Sequence, residues 1–151
     1  MSAATIRSVL VVEDDQIDTE YILKTLSKFD IAPEVHSRSY EAISRLRQND
    51  APALVLLDWK IPGGGASVLR EVRETPAIST IPVVILSRST AHVDVRAAMV
   101  GHANAFVAKA AELDEFRDQV SAICEFFLNI AQPPPMPDAD PDRQRQQGYG
   151  M

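Results

Sequence analysis

The sequence predicts an α/β fold: a doubly wound, five-stranded parallel sheet with helices on both faces. Three observations carry that expectation. Short, nearly continuous apolar runs recur along the chain, helical periodicities fill the intervals, and polar residues able to do chemistry follow directly on the runs. Such runs suit strands buried on both faces of a parallel sheet. Parallel neighbours need crossover connections, which helices supply with a right-handed sense.

The first strand is read over Val9 to Val12, and the helix after it from Ile17, Tyr21, Ile22, Leu26 and Phe29. A second, poorly alternating strand is placed near Glu34 to Ser37, with Pro33 marking its start. Ile43 and Leu46 give the next helix, and Leu54 to Leu57 the third strand. Val68, Leu69 and Val72 then read as a helix, Val83 to Leu86 as the fourth strand, and Ala105 to Val107 as the fifth. From Leu113, the positions Phe116, Val120, Ile123, Phe127 and Ile130 form an amphipathic stripe that would pack a last helix on the sheet.

A chain of 151 residues can bury one sizeable core and is short for two domains. One domain is expected over residues 6–131. The segment 132–151, with Pro133, Pro134, Pro135, Pro137 and Pro141 among Asp, Gln and Gly, is expected to be a flexible Pro-rich tail. A net charge of −6 argues against a role in binding nucleic acid, since phosphate backbones are met by clustered Lys and Arg. The single cysteine, Cys124, can make no internal disulfide, and no apolar run or leader suggests a membrane span or export. Cytoplasmic residence is expected.

In an open parallel sheet, ligands bind beyond the carboxyl ends of the strands. Those positions hold Glu13, Asp14 and Asp15 after the first strand, Asp58 after the third, Ser87 after the fourth and Lys109 after the fifth. Clustered carboxylates repel one another unless a divalent cation sits among them, and oxygen-only ligands favour Mg²⁺ or Mn²⁺. Asp58 could then act as a nucleophile that becomes an aspartyl phosphate, with the Ser87 hydroxyl and the Lys109 ammonium holding phosphoryl oxygens. Singly, each has a plainer reading: Asp15 as the cap of the first helix, Ser87 as a cap, Lys109 as a solvated cation. The joint placement at four strand ends favours the phosphoryl-transfer reading.

The segments VLVVEDDQIDTEYI, ALVLLDWKIP, IPVVILSRS and AFVAKA, in this order and spacing, make the chain similar to response-regulator receiver domains, which have a flavodoxin-like fold. The resemblance implies that Asp58 is phosphorylated, and that Asp15 and Asp58 ligate Mg²⁺. It assigns Asp14 a role through water and the backbone carbonyl of Lys60 a place among the metal ligands. It further implies that Ser87 and Lys109 bind the phosphoryl group and that Phe106 is the switch aromatic.

The chain departs from the family pattern at three places. Ala110 follows Lys109 where the family usually has a proline with a cis bond. A cis bond to a non-proline costs about 2.5–4 kcal/mol, so a trans or rearranged loop is expected. Gly63, Gly64 and Gly65 follow Asp58 without matching either phosphate-binding glycine pattern, and read as a mobile loop. Lys60 and Arg88 occupy positions that tune phosphoryl lifetime in the family. Lys60 either pairs with an acidic ligand or the phosphoryl group or simply points to solvent, and Arg88 is expected to occlude the site or recruit an anionic partner. Trp59 is expected at the surface or at a partner contact.

Near the end of the last helix, Cys124, Phe126, Phe127, Leu128, Ile130 and Ala131 cover more of the circumference than one core-facing stripe requires. Such a patch suits an interface. The segment ELDEFRDQVSAICEFFLNIAQ is similar to the extended final helix of single-domain response regulators paired with bacterial phytochrome histidine kinases. That likeness implies a homodimer through Phe126, Phe127, Leu128 and Ile130, and a bacteriophytochrome kinase as phosphodonor. A non-enzymatic switch is the expected role. The rivals are a receiver-like binding module that needs no phosphorylation and an aspartate-nucleophile phosphohydrolase, whose usual second Asp is replaced here by Lys60.

Overall fold

The computed structural model describes residues 6–135; positions 136–151 of the expected tail lie outside them. The elements run β1 (Arg7–Val12), α1 (Gln16–Leu26), β2 (Ile31–His36), α2 (Ser39–Leu46), β3 (Leu54–Leu57), α3 (Gly65–Glu74), β4 (Val83–Ser87), α4 (His92–Val100), β5 (Ala105–Ala108) and α5 (Leu113–Cys124). The strands form one parallel sheet in the order β2-β1-β3-β4-β5. The strand order reverses at β1 and β3, so the carboxyl ends of those two strands frame the crevice.

The sheet divides its side chains between two cores. Val9, Val11, Leu54, Leu56, Val84 and Leu86 meet Ile22 and Leu26 of α1 and Phe116, Val120 and Ile123 of α5. On the other face, Leu10, Val12, Val55, Leu57, Val83 and Ile85 meet α2, α3 and α4 through residues such as Leu46, Leu69 and Ala98. Alternate residues of a strand point to opposite faces, so a continuous apolar run serves both cores.

Several expectations need correction. β2 begins at Ile31, and Pro33 lies within it. A proline is tolerated there because β2 is an edge strand. The carbonyl of His36 accepts from the Glu13 N–H, so alternation along the strand turns the Pro33 nitrogen toward the open edge. Trp59 is 7 % exposed and belongs to the core under α2 and α3, not to the surface. The glycines form a defined turn. Gly63 and Gly64 have φ of 87° and 85°, and the Gly65 N–H donates to the Trp59 carbonyl at 2.9 Å. A Cβ on Gly65 would lie 2.8 Å from the Trp59 Cα, so the loop is packed against the residue after Asp58.

The end of the last helix also differs. After α5 the chain continues as a π-helical segment, Glu125–Ile130. Each residue there turns through less than the ~100° of an α-helix, so by Ile130 the stripe has slipped by roughly a quarter turn. Ile130 is therefore exposed, which departs from the expected stripe but suits the expected interface, and Leu128 is buried, against its expected place in the interface. Arg7 closes this end by donating to the Leu128 carbonyl.

Candidate functional site

The carboxyl ends of β1, β3, β4 and β5 open on a cleft of about 330 Å³ lined by Asp14, Asp58, Ser87 and Lys109, with Lys60 and Arg88 at its sides. Asp58 follows β3 directly. Its backbone N–H donates to the Val12 carbonyl at 2.9 Å, which ties it to β1. Its two carboxylate oxygens have different partners: Oδ1 accepts from the Lys60 backbone N–H at 3.1 Å, and Oδ2 from Lys109 Nζ at 3.0 Å. All four expected strand ends thus contribute to one site.

Asp15 takes up the capping role expected of it. Its Oδ1 accepts from the Asp18 N–H at 2.9 Å and caps α1, an anion at a helix N-terminus. The carboxylates that converge are Glu13, Asp14 and Asp58, with one oxygen of each within 4.8 Å of the others. Asp15 also lines the cleft, with its Oδ1 taken up in capping α1. An oxygen-only set of three carboxylates fits a hard divalent cation.

Lys109 is the internal counter-ion of this cluster. Its ammonium, with the side chain 1 % exposed, donates to Glu13 at 2.7 Å, Asp18 at 2.8 Å and Asp58 at 3.0 Å. No cis peptide occurs among the described residues, so the Lys109–Ala110 bond is trans, and Lys109 still reaches Asp58. Burial lowers the pKa of the ammonium, but the hydrogen bonds to Asp18 and Glu13 outweigh it, and the net shift is upward. Burial drives the Glu13 carboxyl up to about 7; Lys109 opposes the rise and the charge of Asp58 adds to it.

Ser87, fully buried at the end of β4, accepts from the Ser89 N–H at 3.2 Å. Phe106 sits partly buried against the core under α4. Lys60 does not pair with an acidic ligand: its ammonium meets Asp94 of α4 at 3.1 Å. Asp94 also accepts from the Ser89 hydroxyl at 2.6 Å, and that bond, followed by the one from Lys60, holds its carboxyl below the usual range. Arg88 lines the cleft and donates there to Asp18 at 2.7 Å.

Asp18 and Asp94 are the site residues the sequence reading missed. For Asp18 a signal exists. It lies four residues before Ile22 and eight before Leu26, both core-facing, so an acid at that phase of α1 must be buried and paired.

Rcp1 of Synechocystis sp., a response regulator, is 30% identical over 129 residues, covering 80% of this chain and 88% of Rcp1. The crystal structure of the phosphorylated cyanobacterial phytochrome response regulator RcpA superposes with a TM-score of 0.83 at 30% identity, covering 87% of this chain and 100% of that one. The Mn²⁺-bound form of Rcp1 gives a TM-score of 0.78 at 29% identity, covering 85% and 99%. The response regulator receiver domain family matches residues 9–121, where the acidic trio and Lys109 lie, and the chain belongs to that family.

Proposed function

We propose that the chain is a phosphoryl-accepting switch of a two-component system, with Asp58 as acceptor and a histidine kinase as donor. The observation that carries this reading is the Asp58 carboxylate, 8 % exposed at the floor of the cleft, with Lys109 on one oxygen and Glu13 and Asp14 beside it. In the transfer, an Asp58 oxygen attacks the phosphorus of the donor's phosphohistidine. The bond from phosphorus to the imidazole nitrogen breaks, and the freed nitrogen takes up a proton.

Glu13, Asp14 and Asp58, with the Lys60 backbone carbonyl, would hold Mg²⁺, or Mn²⁺ in its place; Asp15 supports them as the cap of α1. When bound, the metal neutralises charge on the phosphoryl oxygens. The Ser87 hydroxyl and Lys109 receive those oxygens, and Phe106 turns inward as Ser87 is drawn toward them. Lys60 and Arg88 are proposed to tune phosphoryl lifetime, Lys60 from its anchor on Asp94. The output is a change of shape and partner, without catalysis of a separate substrate and without nucleic acid.

The phytochrome association in the name of RcpA supports a bacteriophytochrome kinase as the donor. A homodimer through the last helix would use Phe126 and Ile130, which are exposed, and Phe127, whose ring meets that of Phe126 edge-on at 5.0 Å. No described helix is long and apolar enough to cross a membrane, and we place the protein in the cytoplasm. The deciding experiment is intact mass after incubation with Mg²⁺ and acetyl phosphate. A phosphoryl adduct is expected on the wild type and not on Asp58→Asn; an equal adduct on both removes Asp58 as acceptor.

A further inference from the structure

We infer that Arg88 is a positioning residue that acts on the phosphoryl group through Asp18 and Lys109, by neutralising Asp18 so that Lys109 can serve Asp58. This rests on the reading of Asp58 as phosphoacceptor. Asp18 is 1 % exposed, and its two oxygens are divided between two cations: Oδ1 accepts from Arg88 at 2.7 Å and Oδ2 from Lys109 at 2.8 Å. Asp18 is not one of the three converging carboxylates, yet it claims a hydrogen bond from the ammonium that reaches Asp58.

An ammonium has three protons to donate, and Lys109 has three acceptors: Glu13, Asp18 and Asp58. An incoming phosphoryl group brings further acceptor oxygens, so one of these contacts must weaken. A buried carboxylate left without a cation is strongly unfavourable. Arg88 removes that obstacle. Its guanidinium reaches down from a side chain that is 58 % exposed and stays with Asp18 while Lys109 turns to the phosphoryl oxygens. The device spans three elements, since Asp18 lies on α1, Arg88 follows β4 and Lys109 follows β5.

The test is a double-mutant cycle on the affinity for fluoroberyllate, a phosphoryl mimic, in 10 mM-scale MgCl₂ (about an order of magnitude above a millimolar site) with the fluorescence of Trp59 as readout. Arg88→Ala is expected to weaken binding five- to tenfold, because Asp18 then holds Lys109 back. In the Asp18→Asn background the same Arg88→Ala change is expected to cost less than twofold, so that removing the carboxylate rescues the loss of the arginine. Asp18→Ser is the second way of deleting the carboxylate, and melting curves identify which of the two is folded.

An equal effect of Arg88→Ala in both backgrounds would overturn the inference, since Arg88 would then act directly or by bulk charge. So would no effect beside an intact Asp18. If the wild type itself takes up no fluoroberyllate, or Asp58→Asn takes it up equally well, the phosphoacceptor reading has failed. Binding by the wild type alone, without rescue, refutes only the role given to Arg88.

Discussion

At the scale of single residues, the site is governed by how six acidic groups share few cations. The raised pKa of Glu13, about 7, means that its carboxyl holds a proton below neutrality in the metal-free protein. A divalent cation must displace that proton, so affinity rises with pH. Mg²⁺ binding, followed by Trp59 fluorescence, is expected to be roughly tenfold weaker at pH 6 than at pH 8, one proton being released. Lys109→Met should destabilise the metal-free fold by about 3 kcal/mol or more, because Glu13, Asp18 and Asp58 lose their shared ammonium. Urea melts should show that loss shrinking once Mg²⁺ is added. Cys124 offers an independent check of packing. Burial pushes its thiol up to about 12, so it should resist alkylation at pH 8 until the protein unfolds. Asp58, Ser87 and Lys109 were legible because each directly follows an apolar run. Asp15 was legible as the cap of α1, whereas three consecutive acids did not reveal that Glu13 would converge with Asp14 and Asp58.

At the scale of elements, the glycine loop and the end of the last helix depart from expectation for distinct physical causes. The glycine loop is held by packing. Gly65→Ala should cost about 1–3 kcal/mol by overpacking against Trp59, measured by thermal or urea unfolding. The π-helical segment redirects the last helix, which alters the choice of interface variants. Phe126→Glu with Ile130→Glu should dissociate a homodimer in sedimentation while leaving the melting curve largely intact, as both side chains are exposed. Leu128→Glu should instead destabilise the fold, since it places a charge in the core beneath α5. An undisturbed dimer in the double variant would remove this surface as the interface. A helical pattern written at 3.6 residues per turn has no means of registering a wider turn, so the slip was invisible in the sequence.

At the scale of the molecule, the parallel sheet and its two cores follow from strand runs dense enough to feed both faces. α4 was the least legible helix. Only Asp94 and Ala98 of its residues are buried, while Val93, Met99 and Val100 are exposed, so its apolar residues mark no inward stripe. The placement of Pro33 reaches beyond β2 itself. A free sheet margin ordinarily offers a row of N–H and C=O groups on which a second chain can add a strand. With a ring nitrogen facing outward midway along β2, that row is interrupted. Extension of the sheet by strand addition at this margin is thereby disfavoured, which works against fibrillar growth from that side.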